Sequence, residues 1–327
     1  MKDKIIIGTR GSALALWQAE WVKTGLERIS PGIRIEFNKI KTTGDKILDV
    51  PLAKVGGKGL FVKEIEEALL EGSADIAVHS MKDVPTEFPP GLHLAAVCER
   101  EDPHDAFISG IRDGRARANS FKELPLGALV GTSSLRRSCQ ILNKRPDLKI
   151  GQLRGNLNTR LRKLDEGLFD AIILAVAGVR RLGWEDRITE ILPEEISLPA
   201  IGQGAIGIEC RTDDSFIHSL INPLNHPATA LCVMAERAVL RRLEGGCQVP
   251  IAAHARLLLN SSHLIIDSIV GSVTGDRIIK SRIGGDPDHA DALGVQLAEN
   301  LLAMGAKEIL DEVYGRDIPP VNGEISS

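Results

Sequence analysis

The sequence lacks the long apolar segments that mark membrane and exported proteins. Nowhere do about 18 uncharged apolar residues follow one another, and the N-terminal run Ile5–Ile7 is too short for the core of a signal peptide. The 5 cysteines form no Cys-x-x-Cys motif and no Cys/His spacing typical of zinc, and their odd number argues against a disulfide framework. We therefore expect a cytoplasmic protein with reduced thiols, no membrane partner and no metal.

A basic excess is also absent. Lys and Arg number 40 against 44 Asp and Glu, which gives a formal net charge of -4. Proteins that hold nucleic acid through phosphate contacts usually carry a basic excess, so no nucleic-acid partner is expected. Any anion site must then be local. Arginines are indeed concentrated in one part of the chain, at Arg136, Arg137, Arg154, Arg160, Arg162, Arg180 and Arg181.

The chain has 327 residues, 43% of them hydrophobic, which allows two or three domains that each bury their own core. The first third alternates strand patterns with amphipathic helix patterns, as a parallel-sheet α/β domain does. A second unit of this kind begins after Pro103, with its first strand predicted at Ala128–Gly131. An apolar strand at Ala205–Cys210 would return the chain to the first unit. Two such crossings predict a hinged cleft.

The last part of the sequence predicts a small α+β domain. It contains a helix pattern near Pro227–Leu243, alternating strands within Ile251–Ile283 and one long helix near His289–Val313. The tail from Asp317 to Ser327 is rich in Pro, Gly and Ser and is predicted to be disordered. The predicted domains are residues 1–103 with 202–222 for domain 1, 104–201 for domain 2, and 223–316 for domain 3.

The segment Thr42–Gly59 matches neither a helix nor a strand pattern. A structureless loop of this length is uncommon inside a compact domain and is usually a lid or a disordered segment. Lys54 and Lys58 lie among three glycines in this segment. This composition favours a mobile lid that covers an anionic ligand.

Cys247 lies in the Gly-rich turn Glu244–Pro250, between a predicted helix and a predicted strand. A thiol in such a turn can be exposed and reactive. Most free cysteines are instead small buried hydrophobes, and Cys98, Cys210 and Cys232 occur in apolar runs that fit this role. Position alone leaves both roles open for Cys247.

Lys82 and Asp83 follow the predicted strand Asp75–His79, separated from it by Ser80 and Met81. Their side chains should therefore lie at the carboxyl end of a strand, where open α/β sheets bind their ligands. A carboxylate beside an ammonium can serve as acid, base or charge stabiliser, with a pKa set by its surroundings. A surface ion pair is the alternative.

Hydroxyl and cationic residues mark the helix starts of both units. Gly8–Ser12 and Val130–Ser134 each combine a strand, Gly-Thr and a hydroxyl at a helix start, where free N–H groups favour anions. Cations are unfavourable there, so Arg136 and Arg137 indicate a bound anion, and guanidinium groups suit carboxylates. Two classes remain: an anion-binding receptor-type protein without catalysis, or an enzyme with a nucleophilic or tethering cysteine. The Gly-Gly-Cys turn and the missing signal peptide favour the enzyme.

Seven segments, in order along nearly the whole chain, resemble the hydroxymethylbilane synthase (porphobilinogen deaminase) family. They are Gly8–Ala15, Gly57–Phe61, His79–Pro85, Gly131–Arg137, Arg154–Arg160, Leu174–Gly178 and Gly245–Cys247. The resemblance implies two periplasmic-receptor-like α/β domains hinged around a cleft, plus a small α+β C-terminal domain that presents Cys247. It also implies a monomeric transferase of porphyrin, haem or other tetrapyrrole biosynthesis.

The resemblance further implies a dipyrromethane cofactor, bound to Cys247 through a thioether. Four molecules of the substrate porphobilinogen would be condensed head to tail with loss of ammonia, and hydrolysis would release linear hydroxymethylbilane. Asp83 matches the catalytic carboxylate. The residues expected to hold the cofactor are Cys247, Lys82, Asp83, Ser133, Arg136, Arg137, Arg154 and Gly155. Those expected to hold substrate carboxylates are Arg10, Ser12, Arg154, Arg160 and Arg181.

Overall fold

A computed structural model describes residues 4–46, 61–112, 114–245, 249–258 and 262–315. Several predictions fall outside these residues. They are the greater part of the lid at residues 47–59 with Lys54 and Lys58, the cofactor-bearing Cys247, and the tail 317–327.

The strands of the described residues form two five-stranded sheets, one three-stranded sheet and one short hairpin. They are β1 (Lys4–Arg10), β2 (Arg34–Ile40), β3 (Ile76–Ser80), β4 (Leu92–Val97), β5 (Asp105–Ser109), β6 (Ile111–Arg112), β7 (Arg115–Ala116), β8 (Leu129–Gly131), β9 (Lys149–Gly151), β10 (Ala171–Ala175), β11 (Glu190–Leu192), β12 (Ile206–Arg211), β13 (Ile251–Leu257), β14 (Leu264–Gly271) and β15 (Ile278–Gly285).

Helices cover these sheets. Those of the described residues are α1 (Ala13–Ile29), α2 (Thr43–Lys46), α3 (Lys63–Leu70), α4 (Leu135–Lys144), α5 (Leu157–Asp165), α6 (Val176–Arg181), α7 (Ser215–Ile221), α8 (Pro227–Arg242), α9 (Ala290–Ala303) and α10 (Ala306–Gly315). In the same residues, no helix combines the length and the apolar character needed to cross a membrane.

The first sheet has the strand order β2-β1-β3-β12-β4. Strand β1 pairs in parallel with β2 and β3, whereas β12 runs antiparallel to both β3 and β4. The four strands from the first third of the chain are thus parallel to one another, as the sequence predicted, and β12 is the antiparallel strand among the described residues of this sheet. Strand β12 reaches the sheet from the second domain, after a crossover, and enters it from the opposite end.

Helix α1 illustrates how the sequence directs local structure in this domain. The Ser12 hydroxyl caps the helix by accepting a hydrogen bond from the backbone N–H of Ala15 at 3.3 Å. Val22 and Leu26, one turn apart, are fully buried with Ile7 of β1. Burial of each of these two side chains contributes about 1.5–3 kcal/mol. The cap and the apolar face together fix α1 on the first sheet.

The second sheet has the strand order β11-β5-β10-β8-β9. Strand β8 is parallel to β9 and β10, while β5 is antiparallel to β10 and β11. Strands β5 and β11 were not predicted from the sequence, which placed the first strand of this domain at Ala128–Gly131. Both missed strands are short, and β5 carries only three apolar residues between Asp105 and Ser109. Such a run is too short to distinguish a strand from a loop.

The third sheet, β13-β14-β15, is antiparallel and packs against α8 and α9. The single helix predicted near His289–Val313 is wrong, because α9 ends at Ala303 and α10 begins at Ala306. Gly305 between them has φ +95°, a left-handed backbone that glycine adopts without strain. One glycine in an otherwise helical pattern thus ends the helix.

The predicted architecture of two α/β domains and a small α+β domain is confirmed by the three sheets. Each sheet takes its strands from one of the predicted domain ranges, whose boundaries remain a prediction. Glu236 of α8 joins the third domain to the first domain and to the crossover. Fully buried, it accepts two hydrogen bonds from the Arg100 guanidinium, both at 2.7 Å, and further ones from the N–H groups of Gly202 and Ala255. The third domain is therefore tied to the crossover that borders the cleft.

Candidate active site

A cleft lies between the two α/β domains and the crossover that joins them, and about 450 Å³ of empty space, part of it open solvent, lies within its walls. Four cationic side chains line it: Lys82, Arg137, Arg160 and Arg181. Among the described lining residues none is acidic. Because each domain contributes cations to the same space, the cleft is a local basic site within an acidic chain.

Lys82 and Asp83 lie where the sequence predicted them, in the turn Met81–Asp83 that directly follows β3. Both side chains are half-buried. Burial lowers the pKa of Lys82 to about 8; the charge of Arg137 lowers it too, while the charge of Asp83 opposes the shift. The Lys82 ammonium donates to Gln203 Oε1 at 3.5 Å. The strand end thus brings the Lys82 ammonium to the cleft, with Asp83 next to it in the same turn.

Arg136 and Arg137 have a partner that the sequence analysis missed. Both guanidinium groups are buried and donate to the Asp105 carboxylate, with shortest contacts of 2.7 Å for each arginine. Asp105 also accepts from the Ser197 hydroxyl at 2.7 Å and from Gln203 Nε2 at 2.9 Å. The inference of a bound anion from unpaired cations at this helix start is therefore corrected. The anion beside them is Asp105, at the start of β5.

The Asp105 cluster remains positively charged overall. Burial alone would raise the pKa of Asp105, but the charges and hydrogen bonds of Arg136 and Arg137 lower it well below its usual range. Asp105 is therefore ionised, and two guanidinium charges face one carboxylate. Arg137 also lines the cleft. The cluster adds net positive charge to the cleft wall.

Arg160 of α5 belongs to the same electrostatic site as Asp83. Burial lowers its pKa to about 10, as does the charge of Arg137, whereas the charge of Asp83 raises it. The charges of Arg154 and Arg10 lower it further. Its Nε donates to the Gly155 carbonyl at 2.8 Å, which holds the side chain over the turn before α5. The fold thus brings together cations from β1, the β9–α5 turn and α5.

Ser133 and Gly155 shape the second-domain wall. The Ser133 hydroxyl donates to the Leu153 carbonyl at 2.9 Å, which joins the turns after β8 and β9. Gly155 has φ +108°, and a Cβ at this position would lie 2.7 Å from the Thr159 side chain. A side chain at residue 155 would therefore be strained as well as crowded.

Arg10, Ser12 and Arg181 have local contacts of their own. The Arg10 guanidinium lies 4.4 Å from the centre of the Phe61 ring, and Ser12 caps α1. Arg181 of α6 donates to the Gly204 carbonyl at 2.7 Å and lies 5.5 Å from the Trp17 ring. Burial lowers the pKa of Arg181. Of these three residues, Arg181 is the one that lines the cleft.

Three further polar residues of the cleft were missed as site residues. Gln18 of α1 donates to the Ser80 hydroxyl at 2.9 Å, and both line the cleft. Gln203 binds Asp105 and accepts from Lys82, which links the crossover to both domains. In the sequence, Gln203 lies between two glycines of the crossover. A polar side chain at such a position is the signal that could have indicated a role in binding neighbouring groups.

Two family models match the chain. "Porphobilinogen deaminase, dipyromethane cofactor binding domain" covers residues 5–219, and "Porphobilinogen deaminase, C-terminal domain" covers residues 230–303. The chain belongs to the porphobilinogen deaminase family. Porphobilinogen deaminase of Geobacter sulfurreducens is 57% identical over 97% of this chain and 96% of its own length. That of Geobacter metallireducens is 59% identical over 95% of each chain.

Membership in the porphobilinogen deaminase family confirms the predicted transferase function, and the first family model confirms the predicted dipyrromethane cofactor. The receptor-type alternative is not favoured. A solved methionine-binding protein, MetQ, is 15% identical and aligns with a TM-score of 0.44 over 71% of this chain and 96% of that chain. A likeness of that extent carries no argument about function.

Proposed function

We propose that Asp83 is the catalytic carboxylate of hydroxymethylbilane synthesis in this chain, acting inside a cleft whose cations bind the carboxylates of porphobilinogen. One observation carries this proposal. Asp83 lies at the carboxyl end of β3 beside a cleft lined by four cations and, among the described residues, by no acidic side chain. Unlike the buried Asp105, whose oxygens already accept hydrogen bonds from Arg136 and Arg137, Asp83 is partly exposed next to this basic cleft.

The described residues fit the dipyrromethane cofactor, whose pyrroles carry acetate and propionate side chains. Guanidinium and ammonium groups bind such carboxylates through charged hydrogen bonds, and the cleft supplies them from both domains. When bound at Cys247, the cofactor supplies the free pyrrole α-carbon onto which porphobilinogen units are condensed with loss of ammonia. Lys82, Asp83, Ser133, Arg136, Arg137, Arg154 and Gly155 would hold it.

Asp83 would act on the pyrrole nitrogen of the substrate. Positive charge develops there when the aminomethyl group leaves as ammonia, and a carboxylate within reach stabilises that charge. Asp83 can also take up and return a proton as the ring regains its aromatic form. Lys82 next to it keeps a positive charge at neutral pH, because its pKa of about 8 lies above 7.

The cations would orient the substrate. Arg160 and Arg181 lie on two helices of the second domain and line the cleft, so together they can hold carboxylates on one pyrrole. Arg10, Ser12 and Arg154 complete the proposed substrate set. Arg136 contributes through the Asp105 cluster, whose net positive charge acts on a nearby carboxylate.

The setting of the reaction is also part of the proposal. We place the chain in the cytoplasm as a monomer, with domain 1 at residues 1–103 and 202–222, domain 2 at 104–201 and domain 3 at 223–316. Cys98, Cys139, Cys210 and Cys232 are free thiols, which suits a reducing compartment. Lys54 and Lys58 would belong to a lid over the cleft.

Intact-mass measurement tests the covalent cofactor. The purified chain should weigh more than its sequence by two porphobilinogen units less two ammonias, with the addition on the peptide that contains Cys247. Cys247→Ser should lack both the addition and the activity. Cys232→Ser is the matched control, because Cys232 is a buried thiol on α8, outside the turn, and it should keep both. An unmodified wild-type chain with full activity would contradict the proposal.

A further inference from the structure

Three metal-ligating side chains meet outside the cleft, at the edge of the first sheet. They are His93 on β4, Cys210 on β12 and His218 on α7. His93 Nε2 lies 3.0 Å from His218 Nε2 and 3.7 Å from Cys210 Sγ. All three ligand atoms lie within 4.8 Å of one another. None of the three residues lines the cleft, so the cluster has no part in the chemistry proposed above.

The backbone fixes this cluster independently of any ligand. Cys210 lies directly opposite His93 in the β12–β4 pair. Asp214 begins the helix that carries His218, because its carboxylate accepts from the Ile217 N–H at 3.1 Å. The three side chains are thus held by a strand pair and a capped helix rather than by loops. Rigid support of this kind favours a preorganised site.

Two of the three ligand separations are close to those of a tetrahedral zinc site, and the third, between Cys210 Sγ and His218 Nε2, is within 4.8 Å. With Zn–N of about 2.0–2.1 Å and Zn–S of about 2.3 Å in a tetrahedron, two nitrogen ligands lie about 3.3 Å apart, and nitrogen and sulfur about 3.6 Å apart. The observed separations of 3.0 and 3.7 Å differ from these by a few tenths of an ångström. The Arg211 carbonyl oxygen lies 3.0 Å from His218 Nε2 and 3.4 Å from Cys210 Sγ. An oxygen donor is therefore at hand for a fourth position.

We propose that His93, Cys210 and His218 form a structural site for a borderline-soft divalent ion, zinc above all. Two imidazoles and one thiolate are the donor types that zinc prefers among divalent ions. Binding would displace the proton of the Cys210 thiol to solvent and join β4, β12 and α7 through a single ion. The ion would thereby fasten strand β12, which returns from the second domain, to the edge of the first sheet.

Sequence spacing does not reveal this site. His93 and Cys210 are separated by 117 positions, and short-range zinc motifs rely on ligands a few residues apart. The fold alone brings the ligands together. A cluster held only by hydrogen bonds between the two imidazoles is the competing account, and it requires no metal.

Cobalt binding separates the two accounts. Purified wild-type holoenzyme, treated with a chelator and then titrated with Co(II), should bind one equivalent and develop a thiolate-to-cobalt charge-transfer band with the intense visible bands of tetrahedral Co(II). Zinc added in equal amount should displace the cobalt and abolish the bands. The same bands should persist in Cys247→Ser, which excludes the thiol of the Gly-rich turn, and in the control Cys232→Ser.

Cys210→Ser and His218→Ala should each lose the charge-transfer band and bind zinc more than about a hundredfold more weakly, because even indirect partners of metal ligands cost about 10- to 100-fold in affinity. The wild-type titration needs no variant and decides the matter if a variant does not fold. The proposal is overturned if wild type shows no thiolate band at one equivalent of cobalt, or if the band survives in folded Cys210→Ser.

Discussion

Asp83 and Asp105 are two carboxylates beside the same cleft, and their surroundings differ sharply. Asp105 is fully buried and accepts hydrogen bonds from Arg136, Arg137 and two neutral side chains. Asp83 is half-buried at the end of β3 and acts through its charge on Lys82 and Arg160. A saturated carboxylate has no capacity left for a substrate, whereas a partly exposed one within reach of cations has.

The comparison shows why residue type and charge pattern alone do not identify a catalytic group. Both aspartates lie near cations, yet Asp105 neutralises part of a buried cationic cluster, whereas Asp83 is partly exposed and acts through its charge on Lys82 and Arg160 of the cleft. Burial and the number of donors distinguish them. We therefore expect Asp105 to stabilise the fold and propose that Asp83 serves the chemistry, and separate variants test the two roles.

The largest expected effect is on stability, in Asp105→Asn. The substitution leaves two buried guanidinium groups without their counter-charge, and breaking a buried pair in this way costs about 3–5 kcal/mol. The urea midpoint and Tm should fall accordingly. Asp165→Asn is the matched control, because Asp165 forms an exposed pair with Arg187, which is worth less than about 1 kcal/mol. If the two variants were equally stable, Asp105 would have no structural role.

The second effect is on substrate binding, in Arg160→Ala. Loss of a charged hydrogen bond costs roughly 1.5–3 kcal/mol, so kcat/KM for porphobilinogen should fall about tenfold to a hundredfold while Tm changes little. Arg162→Ala is the control on the same helix, because Arg162 is exposed and pairs with Glu166. If Arg160→Ala and Arg162→Ala had the same kcat/KM as wild type, Arg160 would not hold a substrate carboxylate.

The sequence predicted the parts of this comparison that depend on local pattern. An apolar strand followed by Lys82 and Asp83 was sufficient to place both residues at a strand end beside a ligand cleft. It could not reveal the partner of Arg136 and Arg137, because Asp105 lies 31 positions from Arg136 and on a strand with only three apolar residues. A pairing across the sheet depends on topology, which local periodicity does not encode.

The same limit explains the other differences. The break at Gly305 depends on a single residue within a helical pattern, and β12 runs antiparallel because of where the chain re-enters the sheet. The cluster of His93, Cys210 and His218 forms from two strands and a helix. His93 on β4 lies 117 positions before Cys210 on β12, so only the folded chain brings them together. Family resemblance supplied the cofactor and the reaction, which the residues alone left open between a receptor and an enzyme.

The smallest expected effect is a pH dependence caused by Lys82. Its pKa of about 8 means that the positive charge is lost as pH rises above 8, so kcat/KM should fall, roughly tenfold for each pH unit beyond the pKa at most. Lys82→Arg should keep its charge and lack this fall. Between pH 8 and 10.5 the folded chain binds fewer protons at Lys82 than the unfolded chain, so this group adds stability as pH rises. An unchanged pH profile in Lys82→Arg would contradict the assignment.

The central claim, that Asp83 carries the chemistry, is tested most directly by single-turnover kinetics of Asp83→Asn protein already loaded with dipyrromethane at Cys247. The substitution keeps the size of the side chain and removes its charge. Acid-base assistance is worth about 10² to 10⁴ in rate, so ammonia release and chain extension should slow by roughly a hundredfold or more. Asp83→Glu, which keeps a misplaced carboxylate, should retain part of the rate. An Asp83→Asn rate within about threefold of wild type would show that another acidic group performs the reaction.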